Sequence, residues 1–194
     1  MDESVPAAYF DAIYQADPDP WSYRHSDYER LKYAETLAAL PLRHFADALE
    51  IGCSIGVLTA QLATRCDRLL SVDGSDVALG IALATCAELP QVELRRMQVP
   101  QEFPDRHFDL VLLSEVGMYL SAADLERAAT RIVAAMNVPG WLLLVHWTAP
   151  GDHPLTGEQV HDYFIGRSGA GSALAHRHGA RHEKYRLDLF ERVR

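Results

Sequence analysis

Short apolar runs and longer amphipathic stretches alternate along the chain from Asp47 onward. This alternation is typical of βα units, whose strands form a parallel sheet with helices packed on both faces. Because the short runs are continuously apolar, we expect central strands that are buried on both sides. The predicted strands are 48–51, 69–72, 92–94, 108–113 and 141–145. The pattern therefore predicts an α/β, Rossmann-like fold.

Helical spacing of Ala and Leu predicts the crossover helices between these strands. Ser75 and Ser121 are placed to cap two of them, since a serine hydroxyl can accept a hydrogen bond from a free N–H group at a helix start. Pro139-Gly140 predicts the turn between the last of these helices and the fifth strand. The helices are predicted at 57–64, 77–88 and 124–136.

The C-terminal part of the chain departs from the βα pattern. A loop over 146–154 precedes a predicted helix over 156–167. Two strand-like segments then flank Gly179 and predict an antiparallel hairpin at the sheet edge, which completes a mostly parallel sheet of seven strands. Alternation over 185–190 predicts a strand with one solvated face.

Two further helices are predicted before the sheet, over 7–16 and 26–40, joined by an Asp-Pro-Asp-Pro-Trp turn. We expect residues 1–45 to form a helical cap over a core of residues 46–194. A chain of 194 residues is long enough for one unit with a three-layer core. The sequence therefore predicts a single domain.

Composition and charge narrow the range of functions. Hydrophobic residues make up 48% of the chain and charged residues 23%, as in ordinary soluble enzymes. The net charge of −9 disfavours nucleic acid as a partner, because phosphate recognition relies on Lys and Arg. Three cysteines without paired spacing, and histidines without a metal-ligand spacing, predict neither a disulfide framework nor a metal site. The acidic start Met1-Asp2-Glu3-Ser4 and the lack of a long apolar run predict a cytoplasmic protein with no membrane partner.

A glycine-containing loop, residues 50–56, follows the first predicted strand and runs directly into a helix. Its two glycines permit a tight turn that brings backbone to a ligand at the helix start. A nicotinamide site would require Gly-x-Gly-x-x-Gly, and Ser54 and Val57 occupy the second and third glycine positions. Asp73 ends the second predicted strand, where a carboxylate can accept hydrogen bonds from both hydroxyls of a cofactor ribose, or can serve as a helix cap.

The loop resembles the first motif of class I S-adenosylmethionine-dependent methyltransferases, acidic-x-Gly-x-Gly-x-Gly, with Ser54 in place of the middle glycine. Further short elements are spread over most of the chain: Asp19-Pro20-Trp21, Tyr28-Glu29-Arg30, the run 49–53, Phe108-Asp109-Leu110 with Ser114-Glu115, and Tyr119-Leu120. In these elements the chain resembles the nodulation protein S (NodS) family of these enzymes and its relatives outside nodulation.

The resemblance implies a class I methyltransferase fold with S-adenosylmethionine as cofactor and S-adenosylhomocysteine as product. NodS-type enzymes methylate the free amine of a deacetylated glucosamine unit in a chitin-like oligosaccharide. The expected acceptor is therefore a small molecule or a saccharide, such as the amine of an amino sugar. A small NAD(P)-dependent oxidoreductase and a catalytically silent cofactor-binding protein are the alternatives.

The resemblance and the strand ends together imply a set of cofactor-binding residues. Glu50 is expected to orient the loop or to approach the cofactor ammonium group indirectly, and Gln98 is expected at the adenine, or is an ordinary surface glutamine. Trp21, Tyr28 and Arg30 are expected either to cover the cofactor, with Arg30 at its carboxylate, or to staple the N-terminus to the domain. The full set is Trp21, Tyr28, Arg30, Glu50, Gly52, Cys53, Gly56, Asp73, Gly74, Gln98, Val99 and Ser114.

Residues after the fourth and fifth strands are the candidates for the chemistry, because ligands bind beyond the carboxyl ends of parallel strands. Glu115 can hold or deprotonate an ammonium group, or can cap the following helix. His146 can act as a base near neutral pH, or can be structural. Tyr119 and His161 are secondary candidates for the same crevice.

Overall fold

The computed structural model describes residues 3–194; Met1 and Asp2, the start of the predicted cap and of the acidic N-terminus, lie outside this range. Two short 3-10 turns, Ala63–Arg65 and Gly117–Tyr119, accompany the helices and strands. The helices are α1 Ala7–Ala16, α2 Asp27–Ala39, α3 Val57–Leu62, α4 Asp76–Thr85, α5 Ala122–Ala135 and α6 Gly157–Ile165. The strands are β1 Ala48–Ile51, β2 Leu69–Asp73, β3 Val92–Arg96, β4 Phe108–Ser114, β5 Met136–Trp147, β6 Leu174–Arg181 and β7 Tyr185–Arg192.

The strands form one seven-stranded sheet in the order β3-β2-β1-β4-β5-β7-β6. Strands β1 to β5 pair in parallel, whereas β7 is antiparallel to both β5 and β6. The predicted α/β, Rossmann-like fold with an antiparallel C-terminal hairpin is thus confirmed. The strand order reverses between β1 and β4, which opens a crevice beyond the carboxyl ends of these two strands.

The core is divided by the sheet into two layers, and β4 contributes to both. Val111 and Leu113 belong to one buried cluster, whereas Leu110 and Leu112 belong to the other. This alternation is the reason for the continuous apolar run, since a central parallel strand is covered on both faces. Strand β3 is the exception: it lies at the sheet edge and its residues are only partly buried or exposed.

The C-terminal hairpin differs from its prediction in two respects. Gly179 lies within β6, and the chain turns between β6 and β7 instead. The predicted solvated face of β7 is wrong, because residues 185–190 are all buried. Arg186 and Asp188 are 4% and 2% exposed, and their charges are satisfied by each other and by residues of α6 and β6.

Pro139-Gly140 lies within β5 and not in a turn before it. The pairing of β4 with β5 shifts in register here, from Phe108 opposite Met136 to Leu110 opposite Trp141. The intervening residues of β5 therefore form an irregularity in the strand, which accommodates the proline.

Side-chain caps fix the helices around the crevice. The hydroxyls of Ser75 and Ser121 accept hydrogen bonds from backbone N–H groups at the starts of α4 and α5, as predicted. Ser26 caps α2 in the same way. The Asp19 carboxylate accepts hydrogen bonds from the N–H groups of Tyr23 and Arg24, at 2.7 and 3.1 Å, and so closes the turn between α1 and α2. Within residues 3–194, no helix is both long and apolar enough to cross a membrane.

Candidate active site

A cavity of about 670 Å³ lies over the carboxyl ends of the parallel strands, under the N-terminal segment and helices α1 and α2. Gly52, Asp73, Ser114 and Trp147, which follow or end four different strands, lie on its floor and walls. The helices that precede the sheet therefore cover the crevice that the fold creates.

Three residues of the loop after β1 have the left-handed backbone conformation that glycine favours. Gly52 has a φ of +88°, Ser54 of +50° and Gly56 of +82°. A Cβ atom at Gly52 would lie 2.2 Å from Val116 Cγ2 and 3.0 Å from the Ser114 carbonyl oxygen, so only glycine fits there. Ser54, which departs from the glycine motif, still adopts the left-handed conformation.

Asp73 lines the cavity and is oriented by two backbone donors. Its Oδ2 accepts a hydrogen bond from the Ser54 N–H group and its Oδ1 from that of Ser75, each at 2.9 Å. Burial raises the pKa of this carboxyl, although the backbone hydrogen bonds oppose the rise. Each oxygen retains a second lone pair, so the carboxylate can accept two further hydrogen bonds from a ligand diol.

Tyr14 is a cavity residue that the sequence did not single out. Its hydroxyl shares a 2.5 Å hydrogen bond with Ser54 Oγ, which ties α1 to the loop after β1. Trp21 packs edge-to-face on the Tyr14 ring with 5.5 Å between ring centroids, and it also lines the cavity.

Three predicted cofactor-binding residues, Glu50, Cys53 and Gly56, belong to the loop but do not line the main cavity. Glu50 is 1% exposed and accepts hydrogen bonds from Thr59 Oγ1 at 2.6 Å and Ser71 Oγ at 2.7 Å. It therefore braces β1 against α3 and β2, which corresponds to the predicted orienting role. Cys53 is buried and Gly56 forms the start of α3.

The remaining predicted residues divide between the cavity and the surface. Among the described residues that line the cavity are Tyr28, Gly74, Gln98, Val99, Ser114 and Tyr119. The prediction that Arg30 contacts the cofactor is wrong, because its side chain is 68% exposed and pairs with Asp27 at 3.1 Å. A helical residue two positions from Tyr28 faces a different direction, so Arg30 cannot serve the same wall.

Lys32 is a buried cation of α2 that the sequence did not single out. Its ammonium nitrogen lies 2.7 Å from Glu115 Oε1 and 3.1 Å from Glu29 Oε1, and the residue is 2% exposed. Burial by itself would lower the pKa of Lys32, but Glu115 and Glu29 outweigh it and raise the pKa. Lys32 therefore stays charged. The available signal was the Glu-x-x-Lys spacing on a predicted helix, which is more commonly a solvent-exposed pair.

Glu115 lines the cavity at the end of β4 with a left-handed φ of +56°. Its N–H group donates to the Val145 carbonyl at 2.9 Å, and its Oε2 accepts from the Trp147 N–H group at 2.7 Å. These bonds join the ends of β4 and β5. The helix-capping alternative for Glu115 is wrong, because Ser121 caps α5.

His146 is fully buried and is not a cavity residue, which corrects its assignment as a base. Its Nε2 accepts a hydrogen bond from the Gly117 N–H group at 3.0 Å, so its Nδ1 carries the proton and donates to His161 Nε2 at 3.1 Å. His161 in turn donates from Nδ1 to Asp188 at 2.6 Å. Burial lowers the pKa of both histidines, so both are neutral structural residues. The prediction that His161 reaches the crevice is therefore also wrong.

The described residues contain no cluster of three or more His, Cys, Asp or Glu side chains that could hold a metal ion. The cavity instead combines backbone from a glycine loop, the Asp73 carboxylate at the end of β2, aromatic walls and the Lys32 ion pairs. These groups suit an organic cofactor with a diol and an adenine-sized ring, together with a second, polar molecule.

A family model described as Nodulation protein S (NodS) matches residues 13–145. Nodulation protein S of Rhizobium tropici is 30% identical over 126 residues, which cover 64% of this chain and 53% of that protein. The alignment with Nodulation protein S of Bradyrhizobium diazoefficiens covers 61% of that protein. This chain therefore spans little more than half the length of these curated relatives.

Solved structures share the fold over nearly the whole chain. A Pseudomonas syringae protein that is provisionally described as a methyltransferase has 36% identity and a TM-score of 0.74, over 85% of this chain and 99% of that one. N-methyltransferase NodS from Bradyrhizobium japonicum WM9, in complex with S-adenosyl-l-homocysteine, has 21% identity and a TM-score of 0.84, over 97% and 98% of the two chains. The predicted class I methyltransferase fold is confirmed by these likenesses.

Proposed function

The chain belongs to the Nodulation protein S (NodS) family, and on this basis we propose that it is an S-adenosylmethionine-dependent methyltransferase that methylates an amine of a small molecule or saccharide. The observation that carries the proposal is the position of Asp73. Its carboxylate faces the cavity at the end of β2, beside the glycine loop and with lone pairs available to a ribose diol.

The residues around Asp73 suit the rest of this cofactor. The Gly52 backbone would lie beside the methionine part, since no side chain separates it from the cavity. The Gln98 amide and Val99 would contact the adenine, and Gly74 leaves space for it. Trp21 and Tyr28 would cover the bound molecule and exclude water.

When bound, S-adenosylmethionine supplies a methyl group on a sulfonium, which is reactive without a metal or a covalent intermediate. The protein's part is to hold the acceptor in line with that methyl group, and positioning of this kind can contribute about 7–11 kcal/mol. The cap helices and the ends of β4 and β5 form the walls on which an acceptor would lie, with Glu115 and Trp147 facing it.

The proposed acceptor is an amine, as in the amino sugar that the NodS resemblance implies. The similarity to N-methyltransferase NodS from Bradyrhizobium japonicum WM9 supports nitrogen as the methylated atom. In this proposal the acceptor is a small molecule or the end of a saccharide, which would enter the cavity of about 670 Å³ beside the cofactor. In this proposal residues 1–194 act as one methyltransferase domain in the cytoplasm, where the free, buried thiols of Cys53, Cys66 and Cys86 remain reduced.

The test is methyl transfer from S-adenosylmethionine with a labelled methyl group. The acceptors are D-glucosamine and a deacetylated chitin tetrasaccharide, with their N-acetylated forms as matched controls that lack the free amine. We expect label in the amine-bearing acceptors alone, and mass spectrometry should place one methyl group on nitrogen. Two results would refute the proposed acceptor class. One is equal labelling of the acetylated forms, and the other is a protein that binds S-adenosylhomocysteine but labels no acceptor.

A further inference from the structure

Three charged side chains meet where the cap joins the sheet, at one wall of the cavity. Lys32 of α2 lies between Glu29 of the same helix and Glu115 at the end of β4. All three line the cavity, and the cluster carries two carboxylates for one ammonium. Such a cluster is costly to bury unless its remaining hydrogen-bonding capacity is used.

Part of that capacity is unused within residues 3–194. Among these residues the buried hydroxyl of Tyr28 has no hydrogen-bond partner, and Glu29 Oε2 lies 2.9 Å from Lys32 Nζ without hydrogen-bond geometry. Both residues line the cavity beside Glu115. Burial raises the pKa of Tyr28, so its hydroxyl keeps its proton and can donate to a ligand oxygen.

Aromatic rings surround the same cluster. Tyr28 packs edge-to-face on Trp147 with 5.9 Å between centroids, and Trp147 also lines the cavity. The Lys32 ammonium lies 5.5 Å from the Tyr28 ring centroid. The Lys184 ammonium lies 5.9 Å from the ring centroids of both Tyr28 and Trp147, so these aromatic faces already attract cations beside the carboxylates.

We propose that Glu29, Lys32 and Glu115, with the Tyr28 hydroxyl, form the acceptor subsite, and that it takes a protonated amine next to an oxygen-bearing group. This inference rests on the proposed function and deepens it by assigning residues to the acceptor. Glu115 binds the ammonium group together with Glu29 Oε2, Tyr28 donates to the neighbouring oxygen, and Lys32 is a positioning residue that holds both carboxylates.

The chemical step balances with Glu115 as the proton acceptor. The bound ammonium gives one proton to the Glu115 carboxylate, which leaves a neutral amine and a carboxylic acid. The amine lone pair then forms the nitrogen–carbon bond as the carbon–sulfur bond breaks, and the bonding pair goes to sulfur. The product is a methylated ammonium, and Glu115 returns its proton to water.

The test uses the complex of the protein with S-adenosylhomocysteine, so that binding is measured without turnover. D-Glucosamine and D-glucose are titrated separately, since they differ in one amine. We expect the protein to prefer glucosamine by about tenfold or more, the difference that one charge-assisted hydrogen bond makes. Glu115→Gln, which keeps the shape but loses the charge, should abolish that preference, whereas Asp27→Asn, an exposed residue of α2, should retain it.

The positioning role of Lys32 is tested by comparing a substitution that keeps the cation with one that removes it. Lys32→Arg keeps the cation and should retain the preference for glucosamine, whereas Lys32→Met should lose it, and thermal melting shows whether each variant is folded. S-adenosylhomocysteine affinity should stay within about threefold in all variants, because these residues hold the acceptor and not the ribose. If the unaltered protein binds S-adenosylhomocysteine but shows no preference for the amine, or if Glu115→Gln keeps the preference, the subsite is wrong. Loss of S-adenosylhomocysteine binding by the unaltered protein would refute the proposed function itself.

Discussion

The Lys32 ammonium lies 2.7 Å from the Glu115 carboxylate, although the two residues are 83 positions apart in the chain. This buried ion pair joins α2 of the cap to the end of β4. It therefore couples the covering helices to the strand whose end lines the cavity, and the energy of the coupling can be measured.

Removing Lys32 leaves two buried carboxylates without their cation. We expect Lys32→Met to lower the free energy of unfolding by about 3–5 kcal/mol. Because Glu115→Gln removes one of those charges, the double variant should be more stable than the sum of the two single effects predicts, by more than about 0.5 kcal/mol. Urea unfolding of all four proteins gives this coupling, and additive effects would show that the pair does not join the two elements.

The close approach at Gly52 predicts a sharp contrast with Gly80. Gly52→Ala requires a left-handed backbone and places a methyl group against Val116, so we expect a loss of about 2–4 kcal/mol in unfolding free energy. Gly80 lies exposed in α4 with open space around it, and Gly80→Ala should stabilise the protein by up to about 1 kcal/mol. Equal effects of the two substitutions in urea unfolding would contradict the geometry of the loop.

His146 and His161 predict a loss of stability on mild acidification. Burial lowers the pKa of both, so the folded protein keeps them neutral while the unfolded chain binds protons below about pH 6.5. The two histidines should therefore lower the stability as pH drops below about 6.5, by up to about 1.4 kcal/mol for each at pH 5.5 relative to pH 7.5.

Urea unfolding at these two pH values measures the effect. His146→Gln should reduce the pH dependence, whereas His178→Gln, at an exposed position of β6, should leave it unchanged. An equal pH dependence in His146→Gln and in the unaltered protein would mean that His146 is not held neutral.

The exposed position of Arg30 predicts that this residue does not contribute to cofactor binding. Its exposed pair with Asp27 is of the kind that contributes about 0–1 kcal/mol. We expect Arg30→Ala to leave S-adenosylhomocysteine affinity within about twofold of the unaltered protein by calorimetry. A tenfold or larger loss of affinity would restore Arg30 as a cofactor residue.

Much of the fold could be predicted because its signals are local. The apolar runs of β1, β2 and β4 and the serine caps depend on neighbouring residues, and so do the turn at Gly52 and the carboxylate at Asp73. The exposure of β3 could not be predicted in this way, because it depends on the order of strands in the sheet.

Several of the errors concern side chains whose partners are distant in sequence. Arg186 and Asp188 alternate as on a solvated strand, but residues of α6 and β6 bury them and satisfy their charges. His146 is at a strand end like Glu115, yet it turns to His161 and away from the cavity. Lys32 was missed for the same reason, since its partner Glu115 is brought to it only by the packing of the cap.

The most direct test of the cofactor assignment is calorimetric titration of S-adenosylhomocysteine and of NAD into the protein and into Asp73→Asn. We expect S-adenosylhomocysteine to bind and NAD not to bind. Loss of the charged ribose contact, about 1.5–3 kcal/mol, should weaken binding to Asp73→Asn by about ten- to a hundredfold. Asp76→Asn, an exposed neighbour whose side chain is 72% accessible, is the matched control and should bind normally. Binding of NAD, binding of neither molecule, or unchanged affinity in Asp73→Asn would contradict the assignment of this cavity to S-adenosylmethionine.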